Sequence, residues 1–255
     1  MRRLIGFVCE GETLAATLDE APGTTGLLIV SGGNEIRCGA HRGMAMLAQR
    51  LAATGTPVFR YDRRGVGDST GDNGGFLSAE PDLIAAVAAF QSAAPHVTRL
   101  IGFGNCDAAS TLALFGRSAG FDKVVLANPW VIEPIDDLPP AAAIRAHYRT
   151  AFRDPATWRR ALSGKLNILK LIKGLMRSVR TDREGKNPLA DRVLAAIGDW
   201  QPDAAIILAR SDATAIAFAA AAGAAVPSET IDTDSHSFTG PAGAALETAL
   251  RRNLA

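Results

Sequence analysis

GNCDAAS, residues 104–110, follows the apolar run RLIGF and precedes TLALFG. A glycine, one residue, a cysteine and then small residues are what a strand needs to turn sharply into a helix, because the corner leaves no room for bulk. Such a corner presents its central residue at the tip, which makes Cys106 a candidate nucleophile. The alternative is a small residue buried in a tight turn, since cysteine is among the most commonly buried residue types.

The sequence on either side alternates between strand and helix signals. Upstream, GFVCEG and TLAATLDEA read as short strands forming a hairpin that feeds the buried strand LLIVSGG. HRGMAMLAQRLAATG then places Met44, Leu47, Ala48 and Leu51 at helical spacing and stops at Gly55. PVFRYD is a strand, EPDLIAAVAAFQSAA a helix with proline near its start, and VTRLIGF the strand that enters the corner. CDAASTLALFGRSAG is the next helix and DKVVLANPW the next strand. After an interruption, DAAIILARS, ATAIAFAAAAG, SETIDT and PAGAALETALRRN resume the alternation. Strands alternating with helices of this length imply an α/β protein with a mostly parallel sheet flanked by helices.

Two further residues fall where they can meet Cys106. Asp212 follows the strand AAIILARS, at the carboxyl end of the sheet; its alternative role is to cap the next helix. His236, in DTDSHSF, follows the last strand and is one of only four histidines, with His41, His96 and His147. An unperturbed thiol titrates near ~8.5, so a Cys106 nucleophile needs a base, and His236 held in one tautomer by Asp212 would supply it.

The order of elbow, acid and histidine after successive strands resembles the α/β-hydrolase fold over almost the whole chain. The resemblance implies that the oxyanion of an acyl-transfer intermediate meets the backbone N–H of Asp107 and a donor from SGGNE, with Gly33 and Asn34 as candidates. In YDRRGVGDSTG, Asp62, Arg64, Gly65, Gly67 and Ser69 match the D-x-R-G-x-G-x-S segment of serine aminopeptidase and lysophospholipase-type hydrolases, and are read as loop architecture. GGNEIRCGAHRG, RYDRRGVGDSTGD and GNCDAAS together resemble hydrolase 1 of the exosortase A system. That family comprises bacterial α/β-hydrolases encoded beside machinery for exopolysaccharide production and protein sorting. The resemblance implies a cytoplasmic hydrolase but no substrate.

Cysteine in place of serine favours esters, lactones or thioesters over amides. Asp107 is the anomaly, because a carboxylate facing the site opposes both thiolate and oxyanion. The expectation is that it turns outward, or that Arg37 or Arg42 neutralises it. Those two arginines and His41 are candidate substrate contacts, although the default reading of His41, a lone polar residue opening a helix, is structural.

Residues 133–199 contain no clear strand and read as an inserted helical cap, which divides the hydrolase core into 1–132 and 200–255. Within it, residues 141–180 hold ten Lys or Arg against one acid, Asp154, while the whole chain carries a formal net charge of only +1. KLNILKLIKGLMRSVR is amphipathic and basic. It could cover the site, attract an anionic acyl substrate or lie on an anionic membrane surface, and a solvated helix packed on the sheet is the fourth possibility.

At 47% hydrophobic and 21% charged residues, without an apolar run long enough to span a membrane, the chain reads as soluble. Its first residues lack the apolar stretch and cleavage site of a signal peptide. Three widely spaced cysteines, Cys9, Cys38 and Cys106, argue against a disulfide framework and a zinc site. No metal or cofactor is expected. Nucleic-acid binding is disfavoured by 6% aromatic residues and the absence of a recognition motif. The residues leave open an acyltransferase with the same triad, or a non-catalytic binding module.

Overall fold

A computed structural model describes residues 1–133 and 187–255. The basic segment 141–180 and most of the expected cap lie outside the described residues.

The chain opens with the hairpin β1 (Arg2–Cys9) and β2 (Glu12–Asp19). Its two-residue loop has φ of 48° at Glu10 and 87° at Gly11, the doubly positive turn whose twist suits a hairpin. The remaining strands are β3 (Thr25–Val30), β4 (Val58–Tyr61), β5 (Arg99–Asn105), β6 (Lys123–Ala127), β7 (Ala204–Ala209) and β8 (Glu229–Ile231). They form one eight-stranded sheet in the order β1-β2-β4-β3-β5-β6-β7-β8. The β1·β2 and β2·β4 pairings are antiparallel and all later ones parallel.

Helices α1 (Gly43–Ala53), α2 (Glu80–Ala93), α3 (Asp107–Ala119), α4 (Pro188–Asp199), α5 (Ala213–Ala222) and α6 (Pro241–Leu254) complete the described architecture. A strand covered on both faces must be apolar along its buried length, and β3 is from Gly26 on: Leu28 and Val30 join the core under α2, α3 and α4, while Leu27 and Ile29 join that under α1 and α6. The mostly parallel, helix-flanked sheet expected from the sequence is thus the observed fold.

Two differences have clear physical causes. β1 begins at Arg2, four residues before the strand read from GFVCEG, because its ladder with β2 runs from Arg2↔Asp19 to Cys9↔Glu12 whatever the hydrophobicity of its exposed edge. Residues 188–199, placed within the cap by their lack of strand signal, form α4 in the main core. Val193 and Ile197 are fully buried there. Trp200, just beyond, donates from Nε1 to the Ala113 carbonyl at 3.0 Å and lies under the Arg117 guanidinium. A Cβ on Gly116 would stand 2.9 Å from the Trp200 ring, so glycine sets how closely α3 and this segment pack.

The D-x-R-G-x-G-x-S residues build the loop after β4. Asp62 accepts from the backbone N–H groups of Arg37 and Asp68, and Ser69 Oγ donates to the Asp62 carbonyl. Arg64 pairs with Asp82 of α2 and with Glu10 of the hairpin.

Candidate active site

β5 ends at Asn105, and the next residue turns the chain into α3. Cys106 sits at φ 65°, ψ −127°, a conformation that costs a residue with a side chain about 1–3 kcal/mol. The surroundings hold it there. The Cys106 N–H donates to the Ala127 carbonyl at 2.9 Å, and its carbonyl accepts from Trp130 N–H at 3.2 Å. The glycine two residues earlier is required: a Cβ on Gly104 would stand 2.7 Å from the backbone of Ala108. Cys106 itself is 2% exposed.

Asp212 performs both roles weighed for it. Its Oδ2 caps α5 by accepting from Thr214 and Ala215 N–H, each at 3.1 Å, while Oδ1 accepts from His236 Nδ1 at 2.9 Å. The helix N-terminus favours the charged carboxylate. The other ring nitrogen, Nε2, is buried, makes no regular hydrogen bond among the described residues, and interacts with the Cys106 sulfur. Burial pushes the His236 pKa down, but the Asp212 carboxylate and the Cys106 sulfur outweigh it and raise the pKa to about 10. Cys106 and the pair Asp212 and His236, which lie 106 and 130 residues further along the chain, therefore come together at the carboxyl end of the sheet.

Two asparagines that sequence reasoning passed over hold this cluster. Asn105 Nδ2 donates to the His236 carbonyl at 2.9 Å, and Asn105 Oδ1 accepts from Asn128 Nδ2 at 3.0 Å. Asn128, at φ 44° just past β6, also accepts from Ala209 N–H at 2.8 Å. They tie the histidine loop to the ends of β5, β6 and β7. The only signal in the sequence is position, an asparagine before the elbow cysteine and another at the end of the next strand.

The expected oxyanion donors are arranged differently. Asp107 does not turn outward, and Arg37 does not neutralise it. The Gly33 N–H donates to Asp107 Oδ1 at 2.7 Å and Oδ2 at 2.9 Å, so the donor assigned to a substrate oxyanion holds a protein carboxylate. The physical reason lies in the loop after β3, where Gly32 and Gly33 pass directly over the start of α3. The backbone amide of Asp107, as the first residue of α3, has no intrahelical acceptor. Asn34 is exposed and its side chain accepts from Asn73 at 2.8 Å.

Of the candidate substrate contacts, Arg37 is committed to the loop: its guanidinium pairs with Asp62 and Asp68 and donates to Thr17 Oγ1 at 3.1 Å. His41 and Arg42 are exposed, both in left-handed backbone at the entry to α1, and bond to no described residue through their side chains. Beside the cluster, a small cleft opens between Phe103, Asn105, Ser237, Phe238 and Met44. Among the described residues no group of His, Cys, Asp and Glu is arranged to hold a metal ion.

The sheet order, the elbow after β5 and the acid and histidine beyond β7 and β8 define an α/β-hydrolase fold. Solved structures agree. The thioesterase domain of the curacin biosynthetic pathway superposes with a TM-score of 0.59 at 13% identity, over 98% of this chain and 99% of that one. The esterase Pf2001 of Pyrococcus furiosus gives 0.64 at 14% identity, over 100% and 89%. XC6422 of Xanthomonas campestris, described as a serine hydrolase without lid, gives 0.60 at 14% identity, over 99% and 93%. No family model matches the chain, and no curated protein sequence does.

Proposed function

We propose that the protein hydrolyses an ester or thioester through an acyl-enzyme on Cys106, with His236 as proton carrier and Asp212 as the group that orients it. The observation carrying this reading is the Asp212–His236 pair at 2.9 Å, whose free ring nitrogen interacts with a cysteine held at positive φ on a strand-to-helix corner. Cysteine at the elbow supports thioester and activated ester chemistry.

In this reading His236 already holds the proton at Nε2, in keeping with its raised pKa, and the Cys106 sulfur paired with it attacks the carbonyl carbon. A C–S bond forms and the carbonyl π pair moves onto oxygen. The intermediate collapses by breaking the bond to the alcohol or thiol, which leaves with the proton from His236. Water then attacks the acyl-enzyme, giving its proton to His236. The C–S bond breaks, the acid is released and the Cys106 sulfur is again paired with protonated His236. The raised pKa of His236 suits the imidazolium that both half-reactions need.

The motif resemblance to hydrolase 1 of the exosortase A system supports a cytoplasmic role beside exopolysaccharide or exosortase-linked metabolism. Among the described residues no helix is long and apolar enough to cross a membrane. One observation favours a second reading, a binding module of the same fold: the Gly33 N–H is already engaged by Asp107.

Steady-state turnover of p-nitrophenyl acetate and of acyl thioesters decides between them. The expected result is turnover by the wild type that falls by at least about 1,000-fold in Cys106→Ala and in His236→Ala. Wild-type turnover no faster than that of either variant would favour the binding module.

A further inference from the structure

β1 is an edge of the sheet, and among the described residues β2 is the one strand paired with it. The ladder fixes which of its backbone groups face outward. Glu20 N–H donates to the Met1 carbonyl and Asp62 N–H to the Ala15 carbonyl, so by the alternation of an antiparallel pair the odd-numbered residues of β1 bond to β2. The N–H and C=O groups of Leu4, Gly6 and Val8 therefore point away from the sheet. Their side chains share one face, where Leu4 is 78% and Val8 69% exposed. Such an edge is a template for another strand, and proteins usually blunt it with proline, a bulge or a charge in mid-strand. β1 has none of these: its eight residues pair with β2 without interruption, and Leu4-Ile5-Gly6-Phe7-Val8 is uncharged. The sheet's other edge, β8, is three residues long and carries Glu229 paired with Arg252. Gly6 fits the same reading. A Cβ there would meet nothing within 4 Å and its φ is not positive, so nothing in its own chain calls for glycine, whereas close approach of a second backbone does.

We infer that β1 is a dimer interface, on which the β1 of a second copy of this chain pairs antiparallel across a twofold axis at Gly6. The outward groups admit only registers that set even-numbered residues against even-numbered ones. With Gly6 opposite the partner's Gly6, Leu4 faces the partner's Val8 on one side of the joined sheet and Ile5 faces the partner's Phe7 on the other. In the same register Arg2 faces the partner's Glu10. A shift by two residues sets Arg2 against the partner's Val8 in one direction and Leu4 against the partner's Glu10 in the other. Apolar matching and charge complementarity thus select a single register. Arg2 and Glu10 keep their ion pairs with Asp19 and Arg64, and the crossed contacts extend those pairs along the joined edge. The interface is isologous, so every contact occurs twice. It lies at the opposite side of the sheet from β7 and β8 and is independent of the hydrolase reading.

The test is sedimentation velocity of the untagged full chain, with Leu4→Lys and Val8→Glu as variants. Both positions are exposed, so neither change disturbs the core, and far-UV circular dichroism checks that each variant is folded. The wild type should pass from monomer to dimer between about 1 and 100 µM, the range suited to a small interface. Each variant sets a charge against an apolar side chain twice across the axis and should dissociate at least about tenfold more readily. Mixing the two variants tests the register itself. In the mixed dimer Lys at position 4 of one copy faces Glu at position 8 of the other, while the second Leu–Val pair is intact. A heterodimer, identified by native mass, should therefore form to within about threefold of the wild-type affinity.

A wild type that stays monomeric throughout this range overturns the inference. So does a dimer that neither substitution weakens, which would assign association to another surface. Two weakened variants that form no heterodimer on mixing overturn the antiparallel pairing of Leu4 with the partner's Val8, and the inference with it.

Discussion

At the scale of single residues, the site depends on what Asp212 and Asn105 do for His236. The imidazolium is stabilised in the folded protein, so its pKa lies above the unfolded value of ~6.5, at about 10. This group's contribution to stability is accordingly complete below pH ~6.5 and is lost as the pH rises through about 10. Asp212→Asn removes the carboxylate and must lower the histidine pKa. The expected outcome is an alkaline limb of kcat/KM near pH 10 in the wild type that moves down by at least one unit in the variant. An unmoved limb would mean that another group titrates there. Among the described residues, Asn105→Ala leaves the His236 carbonyl with only the 3.4 Å contact from Asn128. It should lower kcat by more than it raises KM, because the bond it removes positions the reacting ring.

The cysteines differ in the same terms. Cys9 is buried beside Asp82, to which its thiol donates at 3.4 Å, and burial with the neighbouring carboxylate pushes its pKa up to about 11. In the folded protein at pH 8, iodoacetamide should therefore label Cys106 well before Cys9, as read by peptide mass mapping. Equal labelling would contradict the environments described.

At the scale of elements, the elbow is held by contacts that tolerate no added atoms. Gly104→Val drives a branched side chain into the Ala108 backbone and should abolish soluble expression or lower the thermal midpoint by more than 10 °C, on the order of 2–3 kcal/mol. The joint between α3 and the end of α4 depends on one ring. Trp200→Ala leaves a cavity against Gly116 and removes the bond to the Ala113 carbonyl, at a cost of about 3–5 kcal/mol by denaturant titration. A loss below about 1 kcal/mol would show that the segment is not part of the cooperative core.

Legibility follows from the kind of signal each element carries. β3, β5 and β7 are short apolar runs bounded by turns, and α1 and α3 keep helical spacing, so local physics finds them. The elbow, Asp212 and His236 were readable because a sharp turn needs small residues and because polar residues stand at the ends of apolar strands. The Asn105–Asn128 bond was not, because it joins side chains from two strand ends and neither residue breaks a local pattern. The direction of Asp107 was equally hidden: it depends on where the loop after β3 passes, which only the packed sheet decides. α4 was misplaced for a simpler reason, since an amphipathic helix does not say which surface it covers.

At the scale of the whole molecule, the uneven distribution of charge has one testable consequence. Residues 141–180 carry ten basic residues and one acid, and the rest of the chain is net acidic. If that segment meets the leaving group, a carrier with phosphates is attracted and an uncharged one is not. The KM for acetyl-CoA should rise several-fold between 50 mM and 500 mM salt, while that for the acetyl thioester of N-acetylcysteamine stays constant. Parallel responses would assign the basic segment another partner.

The central claim is that Cys106 carries the acyl group, and intact mass after rapid acid quench tests it most directly. Wild type mixed with an activated acetyl or glycyl ester should gain the mass of one acyl group, mapped to the peptide containing Cys106, and lose it again in water. Cys106→Ala should gain nothing. An adduct that persists in Cys106→Ala, or a wild type that turns substrate over without ever bearing one, would contradict the account.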